Sequence, residues 1–312
     1  MTATKQSRSS RQRDLREGLS FAGMALAINT LMALFKVVLG AFTNSHALIA
    51  NALYSINDIF SSIAIAISLR VGDRPPDEKH PFGYGKAEFV SIAIVSISIA
   101  IGVCFMFVFS ALDIIRGVPG PPHFTAMSLA AISIVVSGAI AKKGRKLAIK
   151  LQSPAIDTSA EHHHADAVGG IAALIGVGGA LLGFHVLDRL VAIFETLHLV
   201  VLSGSLLGKS VKGLMDVALP VEDIELVKQA CNEVEGVRKV RRVWSRRVGR
   251  DICLDLSVSL SSEATVAQAH GIRSQIVDTV RGVLGPTTIT QVQFQSPRAL
   301  DVVPEAGGSH HG

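Results

Sequence analysis

The hydrophobic pattern divides the chain into two unequal parts. From about residue 21 to residue 207, apolar residues run in long blocks. After Gly213 the texture changes and the blocks shorten. A helix that crosses the hydrocarbon of a bilayer needs about 20 mostly apolar residues. Six stretches meet that need: Phe21 to Phe42, Ala47 to Val71, Ala87 to Ile114, Phe124 to Ala141, Ile156 to Phe184 and Val186 to Leu207. The last two carry more polar residues than the others, and only Gly183 to His185 separates the core of one from the next.

The remainder predicts a small α+β unit. Val221 to Val234 reads as a helix with Ile224, Val227 and Cys231 on one face. Val237 to Val248 reads as a strand. In the next strand Ile252, Leu254, Leu256, Val258 and Leu260 alternate with Cys253, Asp255, Ser257 and Ser259, the period-two signature of a half-buried strand. Gly249-Arg250 between these strands suggests a tight hairpin. Thr265 to Val283 reads as an amphipathic helix and Thr288 to Gln295 as a last strand. The order α-β-β-α-β suits helices on one face of a sheet. The expected organisation is a basic flank over 1–17, a six-helix transmembrane domain over 18–208, a soluble domain over 209–299 and a flexible tail over 300–312.

Charge placement adds a topology. The N-terminal flank holds Lys5, Arg8, Arg11, Arg13 and Arg16, and Lys142 to Lys150 holds five more basic residues. The segment from Arg70 to Lys86 is mixed, whereas the loops near Thr43 and His185 carry no Lys or Arg. With six spans the three charged segments fall on one side. The positive-inside rule makes that side cytoplasmic and places both termini there. The net charge of +5 does not point to nucleic acid, because the basic residues flank apolar runs and aromatic residues are only 5% of the chain. Cys104, Cys231 and Cys253 are too far apart to form a zinc knuckle.

Ionisable side chains inside a span are costly and mark function by default. In the second span Tyr54 and Asp58 are four apart and share a helix face. Asp58 lies twelve residues from His46, about 18 Å at 1.5 Å per residue, near mid-membrane. In the fifth span His162 and Asp166 repeat that spacing at a matching depth from the opposite end. Together the two pairs can build a cage of three oxygens and one nitrogen for a metal ion. Successive residues rotate by about 100°, so His163 and His164 cannot both join His162. Each faces a water-filled path or a helix contact. Lys36 is expected to snorkel toward the end of the first span. Glu195 and His198 in the sixth span pair with each other or line a helix interface.

At these residues the sequence resembles the cation diffusion facilitators. The resemblance runs from about residue 17 to residue 298. It rests on Ala47 to Asp58, the loop His80-Pro-Phe-Gly-Tyr-Gly-Lys-Ala-Glu88, His162 to Asp166, and Ala267-Gln-Ala-His270. Tyr54 at the first metal position, with Glu195-Thr196 and Gly213-Leu-Met-Asp216, is most similar to the magnetosome-membrane iron transporter group. The resemblance implies a homodimer, or a heterodimer with a related member, with six spans per subunit and a cytosolic ferredoxin-like (metallochaperone-like) domain. It implies metal/proton antiport that moves Fe2+, or Mn2+ or Zn2+, out of the cytosol across a bacterial inner membrane or a magnetosome membrane. No cofactor beyond the transported metal is implied. It also assigns Lys86 and Asp216 to a charge interlock, and Asp255 and His270 to a regulatory metal site. Gln293 stands where relatives carry a histidine, and Cys253 where that group carries tryptophan. The competing readings are a metal-sensing or scaffold member that no longer transports, and an intramembrane enzyme. No HExxH motif supports the latter, and the chain is read as not an enzyme.

Overall fold

The structure is a computed structural model that describes residues 2–42, 46–116, 123–261 and 264–295. The tail expected over 300–312 lies outside them. The chain forms two compact units, Met1–Met215 and Asp216–Gly312.

Six long helices make the first unit: α1 (Thr2–Phe42), α2 (His46–Gly72), α3 (Ala87–Arg116), α4 (His123–Leu151), α5 (Pro154–Leu181) and α6 (His185–Leu214). Five of them contain an expected span and run past it at one end or both, while α5 begins before Ile156 but stops at Leu181, short of the expected Phe184. The basic flank is not separate from the first span but continues as α1, since no proline interrupts Thr2 to Phe21. Likewise α4 extends through the Lys142 to Lys150 segment. Leaving the lipid does not end a helix, because its backbone hydrogen bonds are internal.

Among the described residues five helices contain segments long and apolar enough to cross a membrane; α5 falls short, being burdened by Asp157, Glu161, three histidines and Asp166. Its position resolves the conflict. It packs against α4 and α6, and also touches α2 and α3. The helix with the most ionisable residues along its span is therefore the most enclosed, where neighbouring helices replace lipid. Large apolar side chains such as Leu31, Ile97, Ile101, Val135 and Val201 face outward instead. A core of Phe21, Leu69, Ile92, Ile99, Ile156 and Leu206 ties all but α4 together, and Ile140 adds that helix.

The N-terminus of α5 is built with care. Ser153 precedes the helix, Pro154 opens it, and the Ser153 hydroxyl accepts the N–H of Ile156 at 3.4 Å. Pro at the first position fits because its missing N–H would have no partner there, and Ser is a favoured N-cap. Glu88 of α3, only 2% exposed, completes the cap. Its carboxylate accepts the Ser153 hydroxyl and, at 3.3 Å, the N–H of Ala155.

The second unit holds α7 (Val221–Asn232), β1 (Val237–Val248), β2 (Asp251–Leu260), α8 (Val266–Leu284) and β3 (Thr288–Gln295). The sheet order is β1-β2-β3, antiparallel between the first two and parallel between the last two. Val248 pairs with Asp251, so Gly249-Arg250 is a two-residue hairpin loop. Gly249 at φ 60° fits the first turn position of a type II′ hairpin. The alternating face of β2 packs with Val227 and Cys231 of α7 and Ile276 and Val280 of α8. Thr265 and Gln268 form a capping box that starts α8.

Candidate metal centre

Asp58 on α2 meets His162 and Asp166 on α5. His162 Nε2 lies 2.9 Å from Asp58 Oδ1 and 3.8 Å from Asp166 Oδ2. One ligand atom from each of the three residues falls within 4.8 Å of the others. His162 is 2% exposed, and Asp58 and Asp166 are 14% and 16%. Two carboxylates held this close in a shielded site repel, so a cation between them lowers the energy. Two oxygens and one imidazole nitrogen within this span are a donor set for a divalent transition metal. Tyr54, the fourth expected ligand, lies in α2, and its side chain is outside the described residues.

The three histidines separate as helical rotation requires. His164 is exposed, whereas His163 is buried beside His162. His163 Nδ1 lies 3.6 Å from Asp166 Oδ2, so the Asp166 carboxylate sits between two imidazoles. A ligating carboxylate is ordinarily oriented by such a neighbour.

Other features were not visible in the linear pattern. Asn29 of α1, 6% exposed, donates to the Asp58 carbonyl at 3.3 Å and to Ser62 Oγ at 3.1 Å, while Ser62 donates to the same carbonyl at 2.8 Å. This clasp fixes the α2 backbone where Asp58 projects. Polar residues of Asn and Ser type on apolar helix faces are the only sequence signal for it. Lys36 does not snorkel. Its ammonium donates to Ser55 Oγ at 2.7 Å, and both Asp58 and Asp166 lie within its electrostatic reach. On α6, Glu195 approaches α5 so closely that a Cβ on Gly169 would stand 2.6 Å from its Oε1. His198 stacks on Phe194, at 5.8 Å between ring centres.

The charged ends of the helices are paired. Arg11 bonds Asp73 at 2.9 Å, and Lys150 bonds Glu17, Arg145 bonds Asp157 and Lys209 bonds Glu161. Between α2 and α3, Asp77 accepts the Tyr84 hydroxyl at 2.6 Å and the backbone N–H groups of Lys79 and His80 at 3.0 and 2.7 Å. The Tyr84 hydroxyl, followed by the His80 N–H, holds the Asp77 carboxyl below the usual range. Lys86 at the end of this loop donates to the Leu214 carbonyl at 3.1 Å. Asp216, its expected interlock partner, belongs to the other compact unit and takes a left-handed φ of 55°.

In the second unit the alternation of β2 puts Asp255 on the face turned from the helices, while His270 is exposed on α8. Among the described residues the two do not form a metal-binding cluster within one chain. Burial pushes the Cys231 thiol up to about 11 and also raises that of Cys253, so neither supplies a ready thiolate.

Comparison with known proteins adds an independent line. The cation efflux transmembrane domain profile matches residues 23–215, and the cation efflux protein cytoplasmic domain profile matches residues 219–294. The chain is 32% identical to magnetosome protein MamM of Paramagnetospirillum magneticum, across 90% of this chain and 89% of that protein. It is 29% identical to magnetosome protein MamB of Magnetospirillum gryphiswaldense, across 93% of each. It is 30% identical to manganese efflux system protein MneP of Bacillus subtilis, across 83% of this chain and 89% of that one.

Proposed function

The chain belongs to the cation efflux family as a multi-pass membrane protein, and from that premise we propose that it exports a divalent transition-metal ion through the Asp58, His162 and Asp166 site. The observation that carries this reading is the convergence of three ligand atoms from α2 and α5 within 4.8 Å of one another.

Two carboxylates bring the charge a dication needs, and the imidazole adds a borderline donor. Fe2+ is the favoured cargo, followed by Mn2+ and Zn2+. The oxygen-rich set suits the first two relatively better than a thiolate site would, and the magnetosome and manganese efflux relatives point the same way. Tyr54 adds a third oxygen or a hydrogen bond to Asp58.

The ion enters from the cytosol and takes the place of protons on His162 and the carboxylates. The helices then rock about α5, and the far side opens. Protons replace the ion, which makes the exchange an antiport. Histidine suits this role because its ordinary pKa, about 6.5, lies near physiological pH. The resident membrane is a bacterial inner membrane or a magnetosome membrane, with both termini in the cytoplasm. The working unit is a dimer of this chain or of this chain with a related member. Asp255 and His270 belong to a regulatory metal site completed across that dimer, and Lys86 and Asp216 to a charge interlock.

The test is metal-dependent proton flux in proteoliposomes with Fe2+, Mn2+ and Zn2+ in competition. The Asp58→Ala and Asp166→Ala double variant is expected to lose flux. Flux equal to that of the unaltered protein would exclude this route.

A further inference from the structure

We propose that Lys36 is a tethered cation that competes with the transported ion for Asp58 and Asp166 and so drives the ion off the site. This rests on the transport reading above and assigns a part to a residue outside the metal-binding set.

The ammonium is held inside the bundle. Its bond to Ser55 Oγ is 2.7 Å, and Ser55 is 1% exposed. Ser55 precedes Asp58 by three residues, so the two share a face of α2 one turn apart. Lys36 therefore stands one turn from the carboxylate that His162 contacts. It stands on the side toward the α1–α2 connection, because Ser55 is nearer than Asp58 to the start of α2 at His46. Both carboxylates feel its charge.

A lysine in a span would ordinarily extend its stem to the nearest interface. Here the head turns inward onto a buried serine, next to two acids that cannot be left together without a cation. The flexible four-carbon stem lets the ammonium swing between Ser55 and the acids, which a fixed guanidinium plane does less well. With the ion bound, the ammonium rests on Ser55 and repels it. As the ion departs, the ammonium moves onto the carboxylates and blocks its return. The device itself needs no bond making or breaking, and it acts beside the return of protons to the site.

Repulsion between a single and a double positive charge about 8–10 Å apart weakens ion binding by about fivefold at the dielectric of water and by several hundredfold at an effective dielectric of about 20. Removing the charge is therefore expected to tighten binding and slow release. The experiment uses the full-length protein, with Mn2+ and Zn2+ as probes, and compares Lys36→Met, Lys36→Gln and Lys36→Arg. Equilibrium binding by calorimetry is expected to show a Kd lower by at least about tenfold in the Met and Gln variants, with the Arg variant near the parent. In proteoliposomes KM is expected to fall with kcat in the two neutral variants, a split that a packing defect does not produce. Lys36→Gln retains a donor for Ser55 and keeps the comparison available if the Met variant does not fold. An unchanged or higher Kd in the Gln variant overturns the proposal for Lys36. A parent protein that neither binds nor moves either metal overturns the transport reading instead.

Discussion

Replacing Glu88 tests whether α3 fixes the start of the helix that carries His162 and Asp166. The carboxylate accepts the Ser153 hydroxyl and the Ala155 N–H while 98% buried, as its 2% exposure states. Hydrogen bonds to a charged group contribute about 1.5–3 kcal/mol each; the 3.3 Å bond belongs at the low end. A negative charge at a helix N-terminus adds about 0.3–2 kcal/mol. Against these stands the desolvation of the carboxylate, several kcal/mol in a closed site. The balance leaves Glu88→Ala destabilising by about 2–4 kcal/mol, the cost of orphaned donors included. Glu88→Gln keeps an acceptor oxygen and loses the charge, so its cost is about 1–2 kcal/mol. For a domain of this size about 1 kcal/mol moves Tm by about 2–4 °C. The unfolding midpoint in detergent should therefore fall by roughly 4–16 °C for Ala and by about 2–8 °C for Gln. Metal flux should follow the same order, since His162 lies eight residues into α5. Equal Tm values for the parent and both variants would refute the reasoning, as would a Gln variant as damaged as the Ala one.

Two further outcomes follow from geometry outside the metal site. Asp77 titrates below the ordinary carboxylate range in the folded loop, so the loop gains stability above that range and loses it as pH falls through the lowered value. Tyr84→Phe removes the first cause of the shift, and limited proteolysis of the α2–α3 loop should then show acid opening at a higher pH; an unmoved midpoint would contradict the assignment. A Cβ at Gly213 would stand 2.2 Å from Phe89 Cδ1, so Gly213→Ala should lower Tm through overpacking worth about 1–3 kcal/mol. Gly208→Ala, where a Cβ meets nothing within 4 Å, is the matched control, and equal Tm values for the two would dismiss the α3–α6 contact as a constraint.

Much of the site was legible because its information is local. Asp58 on one helix, and His162 with Asp166 at i, i+4 on another, declare a shared polar face from spacing alone. The β2 strand declared its buried face in the same way. What stayed hidden depends on how helices rotate against each other. Lys36 reads as a snorkelling residue until α2 brings Ser55 to it. Glu88 lies 65 residues from the serine it caps. His163 is as polar as His164, and only the packing of α5 among four helices turns one inward and the other out. Asp255 and His270 carry a family pattern, but alternation along β2 and the placement of α8 set them on different surfaces of one chain.

The composition of α5 also bears on how the protein is made. A carboxylate at the centre of a span costs about 2.5–3.5 kcal/mol at the translocon, and α5 carries Asp166 within its span besides Asp157 and Glu161 near its start. Such a segment gains little by partitioning into lipid alone. It is expected to enter together with α4, the preceding helix that packs along it. The polarity that lets this helix handle an ion thus makes its insertion a joint event with the helices that pack against it.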